Sequence, residues 1–481
     1  MTSLRTYTTA GLALALALAL TGCMVGPKYA RPNVPAPPAF RGTDNADVSS
    51  DPKTSIGDQQ WSAIFHEPEL QQLIHTALTD NYDLRIAAQH ILEQEQQVRI
   101  TRSQQFPQLS IGGLGAGANI PSLVNNSSSG NSNTGGFNLT NPLIIGSLSL
   151  SGSWTPDFWG LYRHQTEAQR DLLLAQQWAQ RAVRVTLVQQ VATTYFELRA
   201  LDTQLAVSKD TVKARQDSLD LTRKLESGGA APLSDVRQAE QLLYTATAEI
   251  PLLQQQIQQT ENELRLLLGQ TPGTVSHADP AALAPPPTDL PTGLPSQLLE
   301  RRPDIQQVEA QLMAANANIG VARAQFFPQL AISGSAGVGG SSLADFFRAS
   351  SSTAYGIGQL TQPIFTGGKL RGQLELTKAQ KEELVITYQK TILYALRDVS
   401  NALIAAEKTR NTRVEQEKLV ASAKDATRLA RVRYQGGAAS YIEVLTNDTN
   451  LFNAQLALIT AQQNEALTLV QLYSALGGGW Q

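Results

Sequence analysis

A single cysteine in 481 residues excludes a disulfide framework and any zinc cluster built on thiolates. Charge is scarce as well: Asp, Glu, Lys and Arg make up 16% of the chain, against roughly 25% in an ordinary soluble protein. No block of Lys or Arg interrupts the net charge of −3, so the basic footprint of a nucleic-acid-binding protein is missing and no nucleic-acid partner is expected. Five histidines, His66, His75, His90, His164 and His277, fall in no HExxH or other metal-ligand spacing, and neither a GxSxG elbow nor a Walker loop occurs. Gly113-x-Gly115-x-x-Ala118 matches the dinucleotide fingerprint only loosely, because it leads into an Asn/Ser/Gly stretch rather than a helix. No catalytic, cofactor or metal site is expected, and the chain does not read as an enzyme.

What is present begins at the N-terminus. Arg5 supplies a positive start, and the Ala/Leu run from Gly11 to Leu20 is too short to cross a bilayer, so residues 1–22 read as a signal peptide and the chain as exported. The run ends in Leu20-Thr21-Gly22-Cys23, which resembles the bacterial lipobox. That resemblance implies a lipid on Cys23, the sole cysteine, as mature N-terminus. It also implies outer-membrane sorting, since Met24 follows where Asp would favour retention in the inner membrane.

The chain then repeats itself. ARAQFFPQLAISG (322–334) aligns with TRSQQFPQLSIGG (101–113), and YQGGAASYIEV (434–444) with ESGGAAPLSDV (226–236). The second alignment also places Arg371 on Arg163, Val399 on Val191 and Gly477 on Gly269. Two copies of one unit, joined by a Pro-rich linker over 270–303, replace the three domains that length alone suggests. Leu161 to Ser227 and Gln373 to Gln435 contain neither Gly nor Pro and read as helices on the order of 100 Å long. Each reverses at a double glycine, Gly228-Gly229 or Gly436-Gly437. In the first return helix Val236, Ala239, Leu243, Ala246, Ile250, Leu253 and Ile257 alternate spacings of three and four, a coiled-coil seam, with Pro251 predicting a local kink. Gln255, Gln258, Gln259 and Asn262 make the opposite face polar and lightly charged.

Between the helices the pattern changes. From Ser103 to Pro156 no residue is charged, and Leu109, Ile111 and Gly113 alternate with Ser110 and Gly112, as do Leu148 and Leu150 with Ser149 and Ser151 and Leu330 and Ile332 with Ala331 and Ser333. Period two means strand, and uncharged alternating segments flanked by Trp154, Phe158, Trp159, Phe326, Phe327 and Phe365 fit a membrane β-barrel with an aromatic belt. One hairpin per half gives four strands, too few to close a barrel, so the chain must oligomerise; strand count alone leaves the number of copies open.

The lipobox followed by VGPKYARP (25–32), LLERRPDI (298–305), the two FPQL strand starts, PIFTGG (363–368) and YQGGAASYIEVL (434–445) resemble the outer-membrane factors of tripartite efflux pumps, the TolC type in its lipoprotein OprM/NodT-like branch. The resemblance covers nearly the whole mature chain. It implies a mostly α fold of two tandem repeats, with a twelve-stranded trimeric β-barrel continuous with an α-helical periplasmic tunnel. The expected organisation is a signal peptide over 1–22, a Pro-rich and equatorial segment over 23–83, a first repeat over 84–269 with its hairpin at about 107–157, the linker 270–303, a second repeat over 304–476 with its hairpin at about 328–366, and a tail over 477–481.

The implied function is an exit duct passing drugs and other toxic small molecules across the outer membrane of a Gram-negative bacterium. A homotrimer would work with a periplasmic adaptor and an inner-membrane transporter of the RND type, anchored in outer-membrane lipid. A type I secretion channel remains the alternative, and a surface-anchored adhesin the alternative of a different class. Asp235 and Glu443 fall at equivalent positions after the two turns, and the resemblance implies that acids there line the periplasmic constriction, Glu443 above all. Thr446 replaces a second acid and Ala439 a polar or basic lock residue, with Asp448 as a substitute acid. The turn glycines Gly228, Gly229, Gly436 and Gly437 are implied adaptor contacts. An acid near the first turn of a helix is also what the helix dipole favours.

Overall fold

The computed structural model describes residues 24–35, 37, 39–41, 55–118, 143–276, 292–340 and 348–480. The signal segment with Cys23, the Asn/Ser/Gly stretch around Asn119 to Asn141 and the centre of the Pro-rich linker lie outside the described residues.

Two short helices, α1 (Trp61–Ile64) and α2 (Pro68–Asp80), precede the first copy of the repeat: α3 (Tyr82–Ser103), strands β1 (Gln108–Ala118) and β2 (Leu143–Trp154), α4 (Leu161–Ser227) and α5 (Leu233–Leu267). A single turn, α6 (Leu298–Arg301), leads into the second copy: α7 (Pro303–Ala324), β3 (Gln329–Gly340), β4 (Ser352–Thr361), α8 (Lys369–Gln435) and α9 (Tyr441–Ala475). Corresponding helices match to the residue: α3 and α7 have 22 residues, α4 and α8 have 67, and α5 and α9 have 35. Helix α8 starts at Lys369 rather than Gln373, running through Gly372, since one glycine in a helix costs only about 1 kcal/mol and does not by itself end it. Helix α5 runs through Pro251 as one element.

The chain divides into two compact units. The first comprises Met1–Arg31, Glu93–Leu173 and Gln311–Leu384. It holds a four-stranded antiparallel sheet in the order β1-β2-β3-β4. Proline ends the helix before each hairpin: Phe106 and Phe327 close the last turns through bonds to Ser103 and Ala324, after which Pro107 and Pro328 cannot continue a helix and the chain extends.

Register sorts the strands into two unlike faces, since cross-strand partners point the same way and successive residues opposite ways. Ile111 pairs with Leu150, Leu150 with Ala336, and Ala336 with Ala354; Leu109, Leu148, Val338, Ile332 and Trp154 share that apolar side. One residue along, Ser110 pairs with Ser151, Ser151 with Ser335, and Ser335 with Tyr355. The strand bases are tied by indoles: Trp154 Nε1 donates to the Gln105 carbonyl at 3.1 Å, and Trp159 Nε1 to that of Pro328 at 2.7 Å. Trp159 stacks on Phe327 at 4.7 Å. The segment after Cys23 is laid against the same place. Val25 N–H donates to the Trp159 carbonyl (3.2 Å). Met24 closes over Gly160, Gly26 and Gly320 leave room only for the His164 ring, and Asn316 donates to the Pro27 carbonyl (2.9 Å).

The second unit comprises Pro32–Leu92, Leu174–Ala310 and Val385–Gln481. The α5 seam buries Val236, Ala239, Leu243, Ala246 and Leu253, with Ile250 and Ile257 half-buried, while Gln255, Gln258, Gln259 and Asn262 are exposed. A larger core joins Phe65, Leu70 and Ile74 from the N-terminal segment to Leu187, Val191 and Tyr195 of α4 and to Val470 and Tyr473 of α9. Tyr195 is wholly buried, and its hydroxyl donates to Glu67 Oε2 at 2.5 Å. Arg302, in LLERRPDI, donates through Nη1 to the Ala475 carbonyl at 3.0 Å, capping α9, while its Nη2 meets Asp304 at 2.6 Å.

The two-faced register yields a prediction. Arg at Leu150, on the apolar side, should cost roughly 2–4 kcal/mol if the site lies near the bilayer midplane, and should abolish assembly in outer membranes. Arg at Ser149, on the opposite side, should assemble. Heat-modifiable migration of detergent-extracted oligomers reads the difference, and equal tolerance of both changes would refute the facing.

Candidate functional site at the double-glycine turns

Each long helix ends in a Schellman motif. After α4, Ala230 N–H reaches the Leu225 carbonyl (2.8 Å) and Gly229 N–H that of Glu226 (2.9 Å); after α8, Ala438 reaches Arg433 (2.8 Å) and Gly437 reaches Tyr434 (3.0 Å). Gly229 and Gly437 hold φ of 73° and 70°, in the left-handed region where a side chain would be strained, so glycine is required there. Helices α5 and α9 restart at Leu233 and Tyr441, with Asp235 and Glu443 both as third helical residue.

The equivalent acids sit in unlike surroundings. Glu443 Oε1 accepts from Arg433 Nη1 at 2.6 Å, an ion pair with the Glu443 side chain 34% exposed. The first copy carries Leu225 where the second has Arg433. Asp235 lies against Ser234 Oγ (3.4 Å). The phenol of Tyr434 is pushed above its ordinary value first by burial, then by the charge of Asp235 and by Tyr441. The rings of Tyr434 and Tyr441 stand 5.2 Å apart, and Tyr441 OH is 3.3 Å from Ser218 Oγ.

Asp448 requires a correction. Expected as a substitute wall acid, it is only 8% exposed, and both oxygens are taken: Oδ2 by Arg215 Nε and Oδ1 by Arg431 Nη2, each at 2.8 Å. Arg215 also donates to the Leu242 carbonyl (2.8 Å) and lies 5.2 Å from the centre of the Phe452 ring. One carboxylate therefore ties α4, α5, α8 and α9 together. The tie escaped the sequence reading, although aligning the copies contains its trace: Arg431 and Asp448 fall on Arg223 and Glu240, which pair at 2.9 Å across the first hairpin. Arg223, and then Arg237, hold the Glu240 carboxyl below its usual range by hydrogen bonding. Arg215 has Ala423 as its counterpart, so the link between hairpins exists in one copy only.

The model of the outer membrane efflux protein family matches residues 73–270 and 294–478. The toluene efflux pump outer membrane protein TtgC of Pseudomonas putida is 36% identical over 472 residues, 96% of this chain and 94% of its own. The cation efflux system protein CusC of Escherichia coli is 33% identical over 469 residues, 97% and 99% of the two chains. Among solved structures, the open state of the Neisseria gonorrhoeae MtrE outer membrane channel superimposes with a TM-score of 0.80 at 27% identity, covering 95% of this chain and 99% of that one. The chain belongs to the outer membrane efflux protein family. It is an outer-membrane channel of an efflux pump and not an enzyme.

The buried tie predicts an asymmetry between the copies. Asp448→Asn leaves two guanidiniums facing a neutral amide and should cost about 3–5 kcal/mol, seen as a lower Tm. Glu240→Gln, at a half-buried counterpart whose partners Arg223 and Arg237 are exposed, should lower Tm far less. Equal effects would show that Arg215 and Asp448 are not coupled in the folded protein.

Proposed function

We propose that this chain is the exit duct of a tripartite efflux system: a homotrimer closing a twelve-stranded barrel, joined to a periplasmic adaptor and an inner-membrane transporter of the RND type. The observation that carries the reading is the sheet itself. Its edge strands β1 and β4 each pair on one side only, its two faces differ in polarity, and it leads directly into helices of 67 residues. Three copies satisfy both edges in a ring. Relatives named for toluene and for cation efflux favour small cargo over the secreted proteins of a type I system.

The turns at Gly228-Gly229 and Gly436-Gly437 would meet the adaptor, and Asp235 and Glu443 would stand around the aperture. An acid ring in a narrow passage concentrates cations and repels anions. Arg433 enters the balance: paired with Glu443 it offsets that charge, leaving Asp235 as the larger net contributor. Asp448, tied internally, takes no part in the ring.

Lipid on Cys23 would reinforce anchoring. Support comes from the strap that follows it, since Met24 and Val25 lie on Gly160 and Trp159, beside the indoles at the strand bases where an aromatic belt meets lipid headgroups. A closed barrel is held by its own apolar face, so the lipid aids targeting more than architecture.

Single-channel currents in planar bilayers test the aperture. Asp235→Asn should reduce cation preference, Arg433→Gln should raise it, and Glu443→Gln should move it furthest toward anions, because that change leaves Arg433 unpaired. Selectivity identical in all three would leave only the helix-dipole account. For the anchor, Cys23→Ser should abolish palmitate labelling, while the same protein exported behind a cleavable non-lipid signal should still form membrane oligomers.

A further inference from the structure

The barrel strands carry a property that the duct reading does not itself require. Strands β1 to β4 contain no Asp, Glu, Lys, Arg or His on either face. All their hydroxyl-bearing residues but Ser352 fall on one side by the register, with Leu114 and Ile357 among them. At one level Ser110, Ser151, Ser335 and Tyr355 lie abreast across all four strands. The levels on either side hold Gln108, Ser153 and Ser333 with Ile357, and Ser149 and Thr353 with two glycines, Gly112 and Gly337. Ser110 Oγ and Ser151 Oγ are 2.9 Å apart, with Ser110 exposed and Ser151 half-buried. The opposite side carries Leu109, Ile111, Leu148, Leu150 and Ile332 among glycines and alanines, so in a barrel the hydroxyl side is the one that meets water.

We infer that the barrel segment of the duct does not select by charge: it is a neutral, hydroxyl-lined passage in which Tyr355, the one aromatic ring on that side of the described strands, is the contact that sorts bulky uncharged cargo. The inference rests on the exit-duct reading. Its physical basis is that a pore discriminates ions through fixed charges or aligned dipoles on its wall, and that such fields are screened within about 10 Å at 0.1 M salt. A wall of hydroxyls, each able to donate and to accept, favours neither sign. Tyr355 is 61% exposed and stands level with three serines, so it is the largest obstacle in its row and presents an apolar ring ending in a hydroxyl. Uncharged aromatic solutes find there a surface on which to rest, with hydrogen-bonding partners alongside.

The test places charge on that wall. Trimers of the full-length protein in planar bilayers are compared as wild type, Ser151→Asn, Ser151→Asp, Ser151→Lys and Tyr355→Ala, with reversal potentials measured across a KCl gradient at low salt. Ser151→Asn should leave the cation-to-anion permeability ratio unchanged; Ser151→Asp should raise it and Ser151→Lys lower it, each severalfold. Tyr355→Ala should raise conductance without moving the ratio, and should lessen current block by added indole. Conducting channels in which Asp and Lys at 151 behave like Asn would overturn the inference, as would a shifted ratio in Tyr355→Ala or indole block that ignores the change. If the charged forms at 151 fail to assemble, the same pair at Ser335, its in-register neighbour, decides; failure there too, with Ser151→Asn assembling, would put this face against lipid and overturn the inference. Failure of the wild type to conduct at all would instead sink the duct reading.

Discussion

Unsatisfied hydrogen bonds at the two outer strands govern much else in this protein. In hydrocarbon no water can satisfy a backbone N–H or C=O, and each one left bare costs several kcal/mol, which is why only helices and closed barrels cross membranes. No helix among the described residues is long and apolar enough to cross a membrane. The apolar residues exposed on one face of the sheet, Leu109, Ile111, Leu148 and Leu150 among them, mark where hydrocarbon is met, and β1 and β4 can stay there only by pairing with another copy. Oligomerisation is thus a condition of residence in the bilayer rather than an embellishment of a stable monomer.

At the other end of the long helices the constraint is one of charge. The tips reverse direction through glycines in the left-handed region, a geometry that fixes where the next helix starts and so where its third residue points. In the first copy that residue is an acid whose charge acts on Tyr434, and in the second an acid clasped by Arg433. Behind them, Arg215 and Asp448 bind the hairpins at a buried point, which stiffens the tip against relative sliding of its helices. The two copies therefore share a backbone plan and differ in how their charges are paired.

The repeat, the long helices and the hairpins were legible because each rests on a local signal: gaps in Gly and Pro, a switch of apolar period from about 3.5 to 2, and FPQL at each change. The family followed from motifs along the whole mature chain. What stayed hidden were contacts between residues far apart in sequence. Arg215 looks like any solvated arginine on a charged helix face, and nothing near it announces Asp448. Arg302 has a partner, the Ala475 carbonyl, that belongs to a helix end which periodicity cannot place beside it. Arg433 and Glu443 are close in sequence, but which way each points depends on the turn between them.

The equal lengths of the paired helices bear on how such a chain can change. One inserted residue rotates everything beyond it by about 100° and advances it by about 1.5 Å, carrying a buried stripe off its partner. Seven residues restore the stripe to within about 20°. A lengthening confined to α4 would still leave its turn displaced from that of α8 and pull Arg215 away from Asp448. Changes of length are therefore admissible only in whole heptads and in both copies together, so a duplicated gene of this kind should vary in steps, and by paired events, rather than residue by residue.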